Sequence, residues 1–424
     1  VSIVAARPAA TGSHTSTLTE APRPRRSVVL LVFVLGALSA TSSLATDLYL
    51  PAFPEIAADL NAPASQVQLT LTAIMVGLAV GQLVIGPMSD MWGRRVPLLI
   101  GVSLFTATSF LCMVAPSAEM FSLIRFVQGL AASAGAVISK AVVRDTFDGD
   151  SAAKFFSRLV LIVGLAPMLG PILGGQLLLL GPWQLIFAAL GTAGLISFAL
   201  VFFGMPESLP KERRRAPQMA ATLRTFGRLL RDPGFIGPAL IMALSFAMTF
   251  TYISTFSFIS QNEFGASAQQ FSLVFAVNTL GMVLGNQVNA ALIGRMHTSR
   301  RLLAGLAGSV AAVAALAVLG VSGQANLVSV TAVLFVMMFC TGLISPNATT
   351  LAISSQSASV AGSSSALLGT LQFALGGGLA AASGLTSTGQ ATLTSMTAVM
   401  FGTVAAAALI FVHAALRGHT RSVL

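Results

Sequence analysis

An all-α membrane protein with twelve transmembrane helices follows from three features of this 424-residue chain. Only 8% of its residues are charged while 55% are hydrophobic. Soluble domains carry about 25% charged residues, so no water-facing surface of ordinary composition can be assembled here. The apolar residues come in runs of roughly 18 or more with few charges, the length at which a helix crosses a bilayer. The basic residues fall in alternate connections, as a chain that threads back and forth through a membrane requires.

Residues 1–26 are rich in Ser, Thr, Ala and Pro and carry Arg7, Arg23, Arg25 and Arg26. They read as a disordered cytoplasmic tail and not as a signal or transit peptide, because the long apolar run behind them has no small-residue cleavage site. Spans are expected near 28–50, 67–88, 97–115, 119–143, 156–180, 183–204, 235–260, 270–294, 302–322, 326–350, 361–384 and 392–415. The first six make one bundle over 27–204 and the last six a second over 235–416. Between them lies the longest polar interruption, a cytoplasmic linker at 205–234, and residues 417–424 form a closing cytoplasmic tail. The 39 Gly and 18 Pro would break helices in water. In a bilayer small residues let helices approach, and neighbours re-satisfy a Pro kink.

All but two of the 23 Lys and Arg residues lie in the tails, the linker and in or around the connections between spans 2 and 3, 4 and 5, and 8 and 9. The connections after spans 1, 3, 5, 7, 9 and 11 carry none. This segregation puts both termini and the linker in the cytoplasm and requires an even number of spans. It also accounts for the net charge of +10, which faces the anionic inner leaflet; nucleic-acid binding would need a folded basic face. A shift of 206 residues sets Arg94-Arg95 on Arg300-Arg301 and Gly170 on Gly376, a faint internal repeat of the kind transporters use. Cys112 and Cys340 sit in apolar runs without metal-ligand spacing and are expected to pack.

The two remaining basic residues, Arg125 and Lys140, both fall in span 4. Lys140 is near the cytoplasmic end and can snorkel. Arg125 lies about six residues inside the outer end, at a depth shared by Asp47 near the end of span 1. The last six spans hold no Asp, Glu, Lys or Arg in the hydrocarbon. An intramembrane charge costs roughly 2.5–3.5 kcal/mol or more and usually faces a cavity with a partner. Asp47 and Arg125 are therefore expected to share a water-accessible cavity of the first half. There a carboxyl balanced between burial and a guanidinium can load and release a proton. The competing reading makes Asp47 an interfacial cap of span 1.

Four stretches then carry a resemblance. Gly86 to Arg95, GPMSDMWGRR, is similar to the signature loop between spans 2 and 3 of the major facilitator superfamily: Gly86, Asp90, Gly93, Arg94 and Arg95, with Met91 at a commonly basic position. Arg125-Phe126-Val127-Gln128-Gly129 resembles the family's span 4 motif, whose Arg is tied to proton coupling. Gly164 to Gly175, GLAPMLGPILGG, resembles its antiporter motif, with Gly164, Gly170, Pro171, Gly174 and Gly175 in order and Pro167 in place of a smaller residue. Asp47 to Pro54, DLYLPAFP, is similar to the Bcr/CflA drug exporters for chloramphenicol, bicyclomycin and multiple drugs. The resemblance implies the major facilitator fold of two six-helix bundles, a conformational latch at the span 2–3 loop, and proton coupling through Asp47 and Arg125. It also implies residence in the bacterial cytoplasmic membrane.

A drug pocket should be mostly apolar with a few polar groups. Tyr49, Gln128, Phe246, Phe250, Tyr252, Asn278, Gln372 and Phe373 are the candidates, with Phe256, Phe258 and Asn286 beside them; each has a packing alternative, and Tyr49 could instead sit in an aromatic belt. The expected activity is export of a lipophilic small molecule in exchange for protons, by a monomer that uses the proton gradient and neither cofactor nor metal. The alternatives are a transporter of an endogenous solute, a channel and a membrane enzyme. No pore ring, P-loop, HExxH or paired-Cys site supports the last two, and His14, His297, His413 and His419 lie in tails, loops or a span end.

Overall fold

The computed structural model describes residues 25–147, 149–214, 219–357, 360–381 and 391–416. The two expected tails thus lie outside the described residues apart from Arg25 and Arg26. Among the described residues, twelve helices have 18 residues or more: α1 (Arg25–Asp47), α2 (Ala64–Trp92), α3 (Arg95–Cys112), α4 (Ala118–Thr146), α5 (Gly149–Leu180), α6 (Gln184–Gly204), α7 (Pro233–Phe258), α8 (Ala268–Ala291), α9 (Thr298–Val321), α10 (Leu327–Ser354), α11 (Ala361–Ala381) and α12 (Leu393–Leu416). Among the described residues, nine helices are long and apolar enough to cross a bilayer; α1, α5 and α11 complete the twelve. No strand occurs among the described residues.

Local chemistry sets the boundaries. The Ser117 side chain accepts from Met120 N–H to start α4. Reciprocal caps, Ser267 with Gln270 and Asn326 with Ser329, start α8 and α10. Gly93 ends α2 with φ +94°, a conformation side-chain-bearing residues avoid. Three features were not expected. Helix α5 begins about two turns before residue 156. The connection after α1 holds a 3-10 turn (Leu50–Ala52) and a short helix (Phe53–Asp59), each begun on a proline. The linker contains an 11-residue helix, Met219–Leu229.

Packing repeats under a shift of six helices. In the first half α1 meets α4 and α5, α2 meets α4, and α3 meets α4 and α6; in the second α7 meets α10 and α11, α8 meets α10, and α9 meets α10 and α12. The main contacts between halves, α2 with α11 and α5 with α8, exchange under the same shift. The close crossings repeat too. A Cβ on Gly77 would meet the Phe126 carbonyl where α2 crosses α4, and one on Gly285 would meet the Phe339 carbonyl where α8 crosses α10. Small residues at these crossings let the backbones touch.

We call the end holding the connections after α1, α3, α5, α7, α9 and α11 the far end, and the opposite one the basic end. Among the described residues, hydrogen bonds join the halves from mid-span to the far end. Gln68 Nε2 donates to Thr255 Oγ1, Thr72 Oγ1 to the Gly377 carbonyl, Ser257 Oγ to the Leu50 carbonyl and Gln261 Nε2 to the Pro51 carbonyl. Gln269 Nε2 donates to the Gly175 carbonyl and Ser272 Oγ to that of Pro171. One apolar cluster also runs through both halves here, with Phe53 against Phe258 at 5.7 Å between ring centroids.

Candidate functional site

Arg125 lies fully enclosed on α4. Its Nη2 donates to the Ala45 carbonyl at 2.6 Å and its Nη1 to Gln128 Oε1 at 2.6 Å. Gln128 passes the contact on, donating from Nε2 to Ser109 Oγ on α3 at 2.7 Å. The guanidinium carbon sits 4.0 Å from the Tyr49 ring centroid and 5.5 Å from that of Phe187, within cation–π range. The Tyr49 hydroxyl bonds Thr70 Oγ1 on α2 at 3.0 Å. Tyr49 is thus buried at the centre of the half and not in an aromatic belt.

Asp47 is also buried, at 8% exposure, and Thr46 Oγ1 donates to its Oδ1 at 3.1 Å. Among the described residues no ion pair joins Asp47 to Arg125. Instead of facing one another across a shared cavity, the two groups have separate partners, for a reason that lies in the helix end. Helix α1 stops at Asp47; Leu48 N–H still reaches the Leu44 carbonyl, but the Ala45 carbonyl has no i+4 backbone donor and lies at the negative end of the helix dipole. Arg125 neutralises that end through Ala45. Asp47 instead points toward α5, where a Cβ on Gly170 would lie 3.0 Å from its own Cβ. One turn on, Gly174 meets the Leu48 carbonyl, and Gly175 turns to Ser272 of α8. Helix α5 is therefore bare on two faces, one for α1 and one for the other half. Pro167 and Pro171 lie within α5, and Gly164 faces open space.

The α2–α3 loop forms a second polar cluster at the basic end. Arg94 is 2% exposed; its Nη1 reaches Asp90 at 2.6 Å and Ser89 at 2.7 Å, and its Nε reaches Asp145 at 2.7 Å. Burial alone would lower its pKa, but Asp145 and Asp90 more than reverse this and raise it. Glu207, from the linker, accepts from the backbone N–H of Arg94 at 2.7 Å and of Arg95 at 3.2 Å, capping α3. Arg95 donates to the Phe202 carbonyl at 2.6 Å. Gly86 and Asp90, with Lys140 and Arg144, line a cleft of about 300 Å³ here. The bonds of Arg94 and Arg95 run to α2, α4, α6 and the linker, all on the first-half side.

The candidate pocket residues divide. Phe246 stacks on Phe250 at 5.6 Å and meets Phe373 edge-on at 5.8 Å, so α7 and α11 bring these three together; Gln372, the residue before Phe373, is half-buried. Tyr252 and Asn278 are fully enclosed between α7 and α8, with Asn278 Nδ2 donating to the Tyr252 hydroxyl at 2.9 Å. Phe256 and Phe258 are buried too, while Asn286 is exposed. Tyr49 and Gln128 belong to the Arg125 shell. Sequence reading missed Phe187, Asp145 and Glu207. Asp145 had a signal as an acid at the basic end of span 4. Phe187 and Glu207 had none, since each acts through a partner distant in the chain.

Against known proteins, the model of the Major Facilitator Superfamily matches residues 35–381. The chain belongs to the major facilitator superfamily. It is 39% identical over 383 residues to the uncharacterized MFS-type transporter YdgK of Bacillus subtilis (strain 168), covering 90% of this chain and 94% of that relative. It is 33% identical over 282 residues to a bicyclomycin resistance protein homolog of Haemophilus influenzae, covering 66% and 71% respectively. The multidrug resistance protein MdtL of Escherichia coli is 31% identical over 231 residues, 54% of this chain and 58% of that one. Among solved structures, the nucleoside transporter NupG superposes with TM-score 0.74 at 12% identity over 90% of this chain and 99% of that one. A D-xylose-proton symporter gives 0.69 at 15% over 91% and 97%. At these identities the structures establish the fold. This MFS protein is a multi-pass membrane transporter and not an enzyme.

Proposed function

We propose that this MFS protein exports lipophilic, drug-like molecules in exchange for protons, as a Bcr/CflA-type antiporter of the bacterial cytoplasmic membrane with both termini in the cytoplasm. The observation that carries the reading is the set of partners met by five consecutive residues. Asp47 and Leu48 lie against Gly170 and Gly174 of α5. Tyr49 lies under Arg125, and the carbonyls of Leu50 and Pro51 receive Ser257 and Gln261 of the second half. A proton gained or lost at Asp47 changes the charge at the α1–α5 contact. The same stretch of backbone, a few residues on, helps seal the far end between the halves. Protonation and access to one side of the membrane thus share a mechanical element, as alternating access by rocking bundles requires. The bias arises from different proton affinities in the two states. Phe246, Phe250, Phe373 and Gln372 supply an apolar surface with one amide, suited to a lipophilic cargo.

The test is a drug-susceptibility panel, with chloramphenicol and other lipophilic antibiotics, in an efflux-deficient bacterium expressing wild type, Asp47→Asn or Arg125→Ala. Transport is measured in parallel in proteoliposomes with an imposed pH gradient. Wild type should raise resistance and move drug against its gradient; Asp47→Asn should reach the membrane in equal amount and do neither. Gradient-driven export by Asp47→Asn at the wild-type rate would overturn the coupling role. A panel in which no compound separates wild type from empty vector would overturn the cargo.

A further inference from the structure

We infer that the linker helix Met219–Leu229 lies in the membrane interface and binds the headgroup of an anionic phospholipid through Arg224, Arg228 and Arg231. Spaced at i, i+4 and i+7, these arginines share one face of a helical course, and all three are exposed. The opposite face is spent on packing. Phe226 and Leu229 are buried against Phe235 and Ala239 of α7, Ala352 of α10, and Leu367 and Leu368 of α11, with Leu83 of α2 at the edge. Those positions lie toward the basic ends of their helices, so the linker helix is docked where the hydrocarbon gives way to headgroups. Backbone bonds from Arg231 and Asp232 to Arg228 and Leu229 lead straight into α7, whose cap is Asp232, so the arginine face is held in place.

Arg224, Gly227, Arg228, Arg231 and Asp232 line a cleft of about 710 Å³. The one acid among them is already engaged, accepting from Gly234 N–H at 2.9 Å and from Gln356 Nε2 at 2.5 Å. Three guanidiniums are left facing outward, each able to take a phosphate oxygen pair in a two-pronged bond. Leu230, 45% exposed, adds an apolar group beside them for the acyl boundary. An amphipathic helix with arginines on its polar side is the form that lies in an interface, and juxtamembrane arginines draw anionic lipids. Because the buried face touches both α2 and α11, the lipid would brace the seam between the halves at the basic end.

The experiment uses the delipidated full chain in a neutral detergent, titrated with phosphatidylglycerol or with phosphatidylcholine of the same chains, and bound lipid counted by native mass spectrometry. At roughly fivefold in affinity per guanidinium, wild type should hold one phosphatidylglycerol on the order of 100-fold more tightly than phosphatidylcholine. The triple variant Arg224→Gln, Arg228→Gln, Arg231→Gln should lose that lipid. A triple Arg→Lys variant should keep most of it, with unchanged elution and thermal unfolding in both variants. Equal retention of the two lipids by wild type, or full phosphatidylglycerol retention by the Gln variant, would overturn the proposal. So would displacement of the lipid by millimolar inorganic phosphate, which would mark a site for soluble anions.

Discussion

Replacing Gly174 by Ala should destabilise the protein, and replacing Gly164 by Ala should not. The methyl group added at 174 would fall on the carbonyl oxygen of Leu48, with the carbonyl carbon 2.9 Å away and the Leu48 Cα at 3.6 Å. These are backbone atoms and cannot rotate aside, so α1 and α5 must separate. Overpacking of this kind costs about 1–3 kcal/mol, offset by the roughly 0.5–1 kcal/mol that Ala gains over Gly within a helix. At Gly170 the nearest atom is the Asp47 Cβ at 3.0 Å, a contact relieved by a few tenths of an ångström, so the two terms should nearly cancel. At Gly164 nothing lies within 4 Å, and the helix term alone remains. The expected order of thermal stability is Gly164→Ala at or above wild type, Gly170→Ala close to it, and Gly174→Ala lowest. Cys112 and Cys340 are free and buried, so a thiol-reactive dye reports unfolding in detergent without added labels. If Gly174→Ala melts together with Gly164→Ala, the close approach of α1 to α5 does not exist as described.

Glu207→Gln should weaken the cap on α3 by about 1 kcal/mol and change the response to acid. Partial burial works to raise the Glu207 pKa, but the N–H groups of Leu209, Arg94 and Arg95 and the Arg214 guanidinium hold it below the usual carboxylate range. A depressed carboxylate stabilises above its unfolded pKa and loses that contribution as pH falls through the folded value. Wild-type melting temperature should therefore drop below about pH 4 more steeply than that of Glu207→Gln; parallel curves would refute the clamp. Arg125→Lys should lose roughly 2 kcal/mol or more, because an ammonium cannot serve Ala45 and Gln128 while facing Tyr49. Tyr49→Phe keeps the ring and should lose only about 1 kcal/mol with the Thr70 bond; equal losses in thermal unfolding would refute this order. Ser257→Ala with Gln261→Ala removes two bonds across the far-end seal. At about 1 kcal/mol each, far-end labelling of an introduced surface cysteine should rise about thirtyfold; unchanged labelling would show that the seal does not depend on them.

The twelve helices were legible because a bilayer tolerates few signals. Apolar length names a span, and basic residues name its side. The linker helix was not legible as a span search reads sequence, since its periodicity is carried by a few residues such as Phe226 and Leu229 between arginines. At the site, Asp47 and Arg125 stood out because charge in hydrocarbon is rare, and the structure brings them into one neighbourhood. Their actual partners were invisible. The Ala45 carbonyl and the bare flank of Gly170 act through a backbone group and empty space, which no residue letter specifies.

The internal repeat gives these partners a sharper meaning. Under the shift of six helices, the α1–α5 contact becomes the α7–α11 contact, and Gly170 corresponds to Gly376. Gly170 faces Asp47, whereas Gly376 faces Phe246. The buried arginine of each basic pair differs as well. Arg94 binds the acids Asp90 and Asp145, whereas Arg301 binds the neutral Asn289, itself held by Asn347. One architecture has thus been filled with charge in its first half and with amides and aromatic rings in its second. On the proposed reading, a proton taken up in the first half would act on a cargo surface in the second through the contacts between the halves, α2–α11, α5–α8 and the connection after α1 with α7. This is why the reading proposed above places proton exchange at Asp47 and the lipophilic cargo beside Phe246. It also follows that substitutions at Phe246 or Phe373 should alter which drugs are exported while leaving proton dependence intact. A Phe246→Ala variant that lost pH-gradient dependence and kept its drug range would reverse that division.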